Sequence, residues 1–330
     1  MARILDNLRG HREQIEFLLN AVESGRLPST LLLVGPSGIG KRQLALGLAQ
    51  ARLCPVDHRA CGLCPSCLRV EKGESESLMM VGGDHPIIRI EASREIMRFL
   101  ALAGLGSAQI VIVDDAQTLN VQAANALLKV LEEPPPHTHF FLLVPSLAGV
   151  LPTIRSRSQV VRMAPLSDEL MRELRPGLDA WIYRAAQGSV ALADQMQGEE
   201  WSQLRQKAYR LWVSLWDQDR EKAFALIAEV TQERETALFV VRCWQGFLRD
   251  VWVMRDELGP AWEPLLESER GKWQGLSDFT LREVTDSIWA MERLLQQNVD
   301  RQVLFESVWL TTRRLLAQEE PGFSQASAGG

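Results

Sequence analysis

Two motifs and one acidic pair in this 330-residue chain have residue types and spacings that could do chemistry. Gly35-Pro36-Ser37-Gly38-Ile39-Gly40-Lys41-Arg42 fits the phosphate-loop pattern G-x-x-x-x-G-K up to its last position. Gly35, Gly38 and Gly40 let the backbone curl so that its N–H groups point at phosphate oxygens. The helix N-terminus adds partial positive charge, and Lys41 can reach the outer phosphates. The plainer reading is a Gly-rich turn with a solvated lysine. A buried strand before the loop and a helix after it favour nucleotide-loop ancestry. Ancestry is not activity, however. The position after the lysine ordinarily carries Ser or Thr, whose hydroxyl holds Mg²⁺. Here it is Arg42, and a guanidinium cannot ligate a metal. Without that ligand, γ-phosphate chemistry loses much of its charge stabilisation.

Asp114-Asp115 ends an apolar run, where a phosphate-loop ATPase places a metal-associated Asp followed by a catalytic Glu. Two readings stand side by side: a solvated strand end, or the remains of a metal site. Cys54, Cys61, Cys64 and Cys67 are spaced C-x₆-C-x₂-C-x₂-C. Four thiolates on short spacers suit a closed, tetrahedral, structural Zn²⁺. Two disulfides are disfavoured because no secretory signal precedes them. An iron–sulfur cluster is the other alternative. Cys243 shares a helical stretch with Val240, Val241 and Phe247 and reads as a small buried apolar residue, not a nucleophile.

The elements that must position these groups follow from apolar periodicity. His11 to Ser24 predicts an amphipathic helix with Ile15, Leu18, Leu19 and Val22 on one stripe. Leu31 to Val34, Ile87 to Ile90, Ile110 to Val113, Phe140 to Val144 and Val160 to Met163 predict five strands. Between them run helices through Leu44 to Leu53 and from Val121 to Leu131, the latter stopped by Pro134-Pro135-Pro136. Alternating strands and helices predict an α/β domain with a parallel sheet covered on both faces. After Pro165 come short helices at 167–175 and 178–187, then long helical patterns through Leu316. Residues 319–330 read as a disordered tail.

Composition divides the chain in the same place. All ten Trp lie at or after Trp181. Residues 1–165 carry a net charge of +2 and residues 166–330 a net charge of −8. That balance excludes a generally basic nucleic-acid coat, so any DNA contact needs a local patch. No stretch approaches the roughly 18 apolar residues of a membrane span. With no apolar leader at the N-terminus, a cytoplasmic protein is expected.

In order along the chain, these motifs resemble the bacterial clamp-loader subunits of the DNA polymerase III holoenzyme. The resemblance is carried by the loop at 35–42, the cysteine module, His85-Pro86 and Asp114-Asp115. Its most specific stretch is Asn125-Ala126-Leu127-Leu128-Lys129-Val130-Leu131-Glu132-Glu133-Pro134-Pro135. Thr153-Ile154-Arg155-Ser156-Arg157-Ser158 is similar to the family's Ser-Arg-Cys motif, with Ser158 in place of the cysteine. The match covers the first half; the second agrees only in helical character and length. The first cysteine gap is shorter than the family's.

The resemblance implies an AAA+ fold in three parts. Residues 1–163 would form the parallel α/β domain with a zinc module at 54–72, residues 164–200 a small helical lid, and residues 201–330 an all-α collar for assembly. The collar would hold Trp201, Trp212, Trp216, Trp244, Trp252, Trp289 and Trp309, most of them in its core. The family contains ATP-hydrolysing motor subunits of gamma or tau type and a non-hydrolysing type, delta prime. Four positions point to the latter. Arg42 replaces Ser or Thr, and Asp115 replaces Glu. Val144 stands for a polar sensor, and Ala191 for the lid arginine in Gly188-Ser189-Val190-Ala191. Arg157 is retained; in the family it reaches the ATP of the neighbouring subunit. The implied cofactors are structural Zn²⁺ and, on the neighbour, ATP. Nucleotide binding at Gly35, Gly38, Gly40 and Lys41, beside a vestigial Asp114 and Asp115, is left open. The implied partners are motor subunits and the delta subunit, with the sliding clamp and primed DNA met through the complex. The chain would be an accessory subunit of a DNA-directed DNA polymerase, not itself an enzyme. The rival readings are a motor-type ATPase that tolerates Arg42, and a DNA-binding module on the slightly basic first half.

Overall fold

The structure is a computed structural model that describes residues 3–83, 87–101, 108–217, 219–256, 270–295, 297 and 299–319. The chain divides into two compact units, residues 1–174 with 188–191 and residues 175–187 with 192–330.

The first unit opens with a 3-10 turn at Ile4–Asn7. It continues as α1 (Arg12–Glu23), β1 (Thr30–Val34), α2 (Lys41–Leu53), α3 (Pro65–Lys72), β2 (Leu78–Gly82), α4 (Ile90–Ala101), β3 (Gln109–Asp114), α5 (Val121–Glu132), β4 (Thr138–Val144), α6 (Pro152–Arg155), β5 (Gln159–Arg162) and α7 (Asp168–Leu174). The strands form one parallel sheet in the order β2-β3-β4-β1-β5. Leu32 pairs with Leu142 on one side and Val160 on the other. β1 and β4 are buried along their whole length because helices cover both faces. Alternation sends Leu31, Leu33, Ile110, Ile112, Phe141 and Leu143 to the face packed by α1, α2 and α3. Leu32, Val34, Val111, Val113, Phe140 and Leu142 face Ile96 and Leu100 of α4 and Leu127 and Leu131 of α5. Asn120 caps α5, its side chain accepting from the Ala123 N–H at 2.7 Å.

Two expectations are corrected. The strand expected at 87–90 is not there; the sheet takes Leu78–Gly82 instead. Ile88 makes a single bridge to Leu119, with its N–H on Thr118 O and its carbonyl accepting from Asn120. Ile90 opens an amphipathic helix whose buried positions, Ser93, Ile96 and Leu100, follow helical spacing. Glu319, expected to open a disordered tail, is helical. Glu319 is the last residue of a helix, and its carboxylate accepts from the Ser277 N–H at 2.7 Å and from the Ser277 and Thr280 hydroxyls. Residues 320–330 and His85-Pro86 lie outside the described residues.

The second unit is helical: α8 (Ala180–Ala185), most of α9 (Val190–Gln195), α10 (Glu199–Val213), α11 (Arg220–Val230), α12 (Arg234–Arg255), α13 (Arg270–Gln274), α14 (Asp278–Leu295) and α15 (Arg301–Glu319). Aromatic rings build its core. Trp212 stacks on Trp273 at 4.6 Å, Trp216 meets Trp273 edge-on at 5.3 Å, and Trp244 packs on Phe305 at 5.4 Å. Two of the buried indoles have partners for their N–H groups. Trp244 donates to Ala208 O and Trp309 to Ser214 Oγ, both at 3.0 Å. Trp289, at 47% exposure, is not a core residue. Cys243 is buried on α12, as its neighbours predict. Among the described residues, no helix is long and apolar enough to cross a membrane.

Candidate functional site

The phosphate-loop motif lies between β1 and α2, where the sequence pattern requires it. The Gly35 N–H donates to Val144 O at 3.1 Å, tying the loop to the end of β4. Gly40 has φ +102°, a conformation that strains any residue with a Cβ, and a Cβ there would also press on the Leu8 side chain at 2.3 Å. Gly38 has φ +75°, and a Cβ there would meet Ser189 Oγ at 2.1 Å and Ala191 Cβ at 3.1 Å. The Gly-Ser of the sequence motif therefore does lie over the loop, and the residue it brings is an alanine. His11, itself left-handed at φ 55°, donates from Nε2 to Ile39 O at 3.2 Å.

Lys41 is buried, and its Nζ donates to Gly35 O at 2.6 Å and Pro36 O at 2.8 Å. Burial pushes its pKa down, while the charges of Asp114 and Asp115 pull it up. Arg42 Nη1 lies 3.9 Å from Asp114 Oδ2. Burial raises the Asp114 pKa first, and the Asp115 charge raises it further; the Arg42 and Lys41 cations oppose both. Asp115 sits in the left-handed region at φ 52° and turns the chain away from β3. Its carboxylate accepts from Gln117 Nε2 at 3.1 Å, and its carbonyl from Thr118 Oγ1 at 2.8 Å. The structure thus brings Lys41, Arg42, Asp114 and Asp115 together. A phosphate-loop motif implies a magnesium-bound nucleotide at this place. The residues do not fit the metal, because Arg42 stands where a hydroxyl ligand is needed and its guanidinium faces the carboxylate that would serve the ion.

The four cysteines form a second centre between α2 and α3. Their sulfurs all lie within 4.8 Å of one another. Cys54 Sγ is 3.8 Å from Cys64 Sγ, and Cys61 Sγ is 3.9 Å from Cys67 Sγ. Four sulfurs each about 2.3 Å from one tetrahedral ion would stand about 3.8 Å apart. That spacing is nearly twice a disulfide bond, and all four thiols are free. Backbone N–H groups of Asp57 and Cys61 donate to Cys54, that of Cys64 to Cys61, and that of Cys67 to Cys64. Such donors favour thiolate: those from Leu63 and Cys64 bring the Cys61 pKa down to about 6, while burial pushes that of Cys67 up. The residues fit a metal ion. Gln50, buried on α2, anchors the module: its Nε2 donates to Cys67 O at 3.2 Å and its Oε1 accepts from the Ile4 N–H at 3.0 Å. Arg59 clasps Asn20, Glu16 and Glu23 of α1.

Arg157 lies apart from both centres by its bonding, on the turn between α6 and β5. Its Nη1 donates to Thr153 O at 2.9 Å and Ser156 Oγ at 3.3 Å, and its Nη2 pairs with the Glu132 carboxylate at the end of α5. Sequence reading missed Glu132 as a partner of Arg157. Its signal was its place in the most specific motif stretch, but no periodicity links the two positions.

Residues 10–167 match the family described as DNA polymerase III, delta subunit. The chain is 34% identical over 203 residues to the DNA polymerase III subunit delta' of Escherichia coli, which covers 58% of this chain and 61% of that one. It is 39% identical over 162 residues to the subunit delta' of Pseudomonas aeruginosa, covering 47% and 46%. Over this stretch the chain is similar to the delta-prime subunits of DNA polymerase III. It spans less than two thirds of the length of these delta-prime relatives. A gamma subunit-related protein of Thermotoga maritima shares the fold, with a TM-score of 0.50 at 19% identity over 92% of this chain and 99% of that one. The family match at residues 10–167 covers the phosphate loop, the cysteine module and Arg157.

Proposed function

We propose that this chain is a non-hydrolysing, delta-prime-like subunit of the bacterial DNA polymerase III clamp loader. The observation that carries the reading is the Arg42 guanidinium facing Asp114, in the place where a motor subunit needs a divalent cation. With Asp115, Val144 and Ala191 also departing from the motor pattern, the chain's own site is degenerate. Its contribution to ATP chemistry is Arg157, offered to the site of a neighbouring subunit. A guanidinium suits that task because it is always charged and can fork across γ-phosphate oxygens.

Residues 1–163 serve as the inactive AAA+ domain, 164–200 as a helical lid, and 201–330 as a collar that packs against motor and delta subunits. The mechanism is scaffolding: a rigid partner against which ATP-driven subunits open the sliding clamp and load it at primed DNA in the cytoplasm. Cys54, Cys61, Cys64 and Cys67 hold a structural zinc, whose chemistry is to cross-link α2 to α3. Replacing Arg157 by Ala in a reconstituted complex should lower ATP turnover by at least about tenfold while assembly survives. Unchanged turnover would overturn the trans-acting role.

The glycines and Lys41 favour one second reading, a motor-type ATPase. ATP hydrolysis by the isolated chain, lost on changing Lys41 to Ala, would establish it in place of the first.

A further inference from the structure

We infer that Glu132 is a positioning residue for Arg157, holding the guanidinium ready for the neighbour's phosphate. This rests on the trans-acting reading of Arg157. Arg157 is about one-third exposed (34%), and a long side chain there would ordinarily sample many rotamers. Instead it is held on two sides. Nη2 pairs with Glu132, while Nη1 donates to Thr153 O and Ser156 Oγ. The Nε–H has no partner among the described residues, so that edge is left to donate outward. Guanidinium recognition of phosphate uses two parallel N–H donors, and a side chain fixed beforehand loses less freedom on binding.

The platform beneath is rigid. The Ser156 hydroxyl donates to Thr153 O at 3.1 Å, and that of Ser158 to Ile154 O at 2.8 Å. Ile154 is buried in the core packed by Leu127 and Leu131 of α5. The turn bearing Arg157 and the helix bearing Glu132 therefore share one packed base.

A second observation concerns the helix. Glu132 is the last residue of α5. A helix C-terminus carries partial negative charge, so a carboxylate there is unfavourable unless a cation answers it. Arg157 is that cation. The carboxylate spends helix stability in exchange for a fixed guanidinium.

The experiment is ATP turnover by the reconstituted complex, as a cycle of Glu132→Ala, Arg157→Ala and the double variant. Glu132→Ala should lower kcat about three- to tenfold with KM for ATP unchanged, as expected when a group is misplaced rather than removed. Glu132→Gln, which keeps an oxygen acceptor for Nη2, should recover most of the loss. The double variant should be no slower than Arg157→Ala alone, because both changes act through one guanidinium. If Arg157→Ala slows turnover but Glu132→Ala does not, the positioning role fails and the trans-acting role stands. Additive losses would make Glu132 merely structural, and faster turnover would make it a restraint; either overturns the inference. If Arg157→Ala itself has no effect, it is the trans-acting reading that falls. Where Glu132→Ala does not assemble, Glu132→Lys, which repels the guanidinium, takes its place: a loss of kcat that disappears in the Arg157→Ala background supports the positioning role, and an undiminished kcat overturns it.

Discussion

The guanidinium of Arg42 faces the carboxylate of Asp114, with 3.9 Å between Nη1 and Oδ2. Arg42 is more than half exposed, so the pair contributes little to stability. On the proposed reading its consequence is electrostatic: a cation stands before the acid that would otherwise serve a divalent one. Magnesium should therefore change the affinity of the isolated chain for ADP by less than about twofold, measured by calorimetry with the metal or with chelator. Absence of any ADP binding would agree. In Arg42→Thr, any affinity should become magnesium-dependent, since a hydroxyl is restored. That variant should still not hydrolyse ATP, because Asp115, Val144 and Ala191 are unchanged. A tenfold tightening by magnesium in the unaltered chain would contradict the exclusion.

The cysteine centre should hold about one zinc per chain, measured by elemental analysis. Cys64→Ser should lose it. Cys64 also caps α3, its sulfur accepting from the Cys67 N–H at 3.5 Å. Serine caps a helix at least as well, so the substitution removes the metal ligand and leaves the cap. A fall of several degrees in the melting temperature of the first unit should accompany metal loss, because Gln50 ties Cys67 to the N-terminal segment. Full zinc content in Cys64→Ser would show that the cluster does not close as the sulfur distances imply.

Much of this fold was legible in the sequence where burial is complete on both faces. β1, β3 and β4 are uninterrupted apolar runs, and such runs have few other places to go. β2 was not legible, because Leu78-Met79-Met80-Val81-Gly82 lies at the sheet edge, only partly buried, and methionine carries little strand preference. Ile87 to Ile90 misled for another reason: Ile88 makes one isolated bridge, and Ile90 already opens a helix whose period is set later, by Ile96 and Leu100. The loop, the cysteines and Arg157 were legible as motifs, since their chemistry depends on local spacing. The pairing of Arg42 with Asp114 and of Arg157 with Glu132 depends on which strand and helix ends the sheet order brings together. Neither pair has a signature in either segment alone.

The aromatic core of the second unit should be its main source of stability. Trp273 is buried and stacks on Trp212 at 4.6 Å with 14° between the rings. Trp273→Ala should cost about 3–5 kcal/mol, read as a lower urea midpoint with the slope unchanged. Trp309→Phe keeps most of the volume but leaves the buried Ser214 hydroxyl without its donor, and should cost about 1–2 kcal/mol. A loss of less than about 1 kcal/mol in Trp273→Ala would place the core elsewhere.

His139 makes the first unit sensitive to mild acid. It is buried on β4; its Nδ1–H donates to Pro28 O at 2.9 Å, and its Nε2 accepts from Arg52 Nε at 3.2 Å. Burial lowers its pKa below the ordinary 6.5, and the charge of Arg52 lowers it further, against the pull of the Pro28 carbonyl. Protonation would place a second cation on Arg52 and destroy the acceptor. The unfolded chain, with the higher pKa, takes up the proton first. Stability from this group is thus complete above about pH 6.5 and falls as pH drops below it, by up to about 1.4 kcal/mol per pH unit. His11, lowered chiefly by burial, acts in the same direction, and Asp114, whose pKa is raised, acts in the opposite one. The informative quantity is therefore the difference between the unaltered chain and His139→Gln, whose amide oxygen can still accept from Arg52 but does not titrate. Between pH 7.5 and 5.5, urea unfolding should show the unaltered chain losing more stability than His139→Gln. Equal losses would mean that His139 is protonated in the folded chain without penalty, and that the Arg52 contact does not hold it neutral.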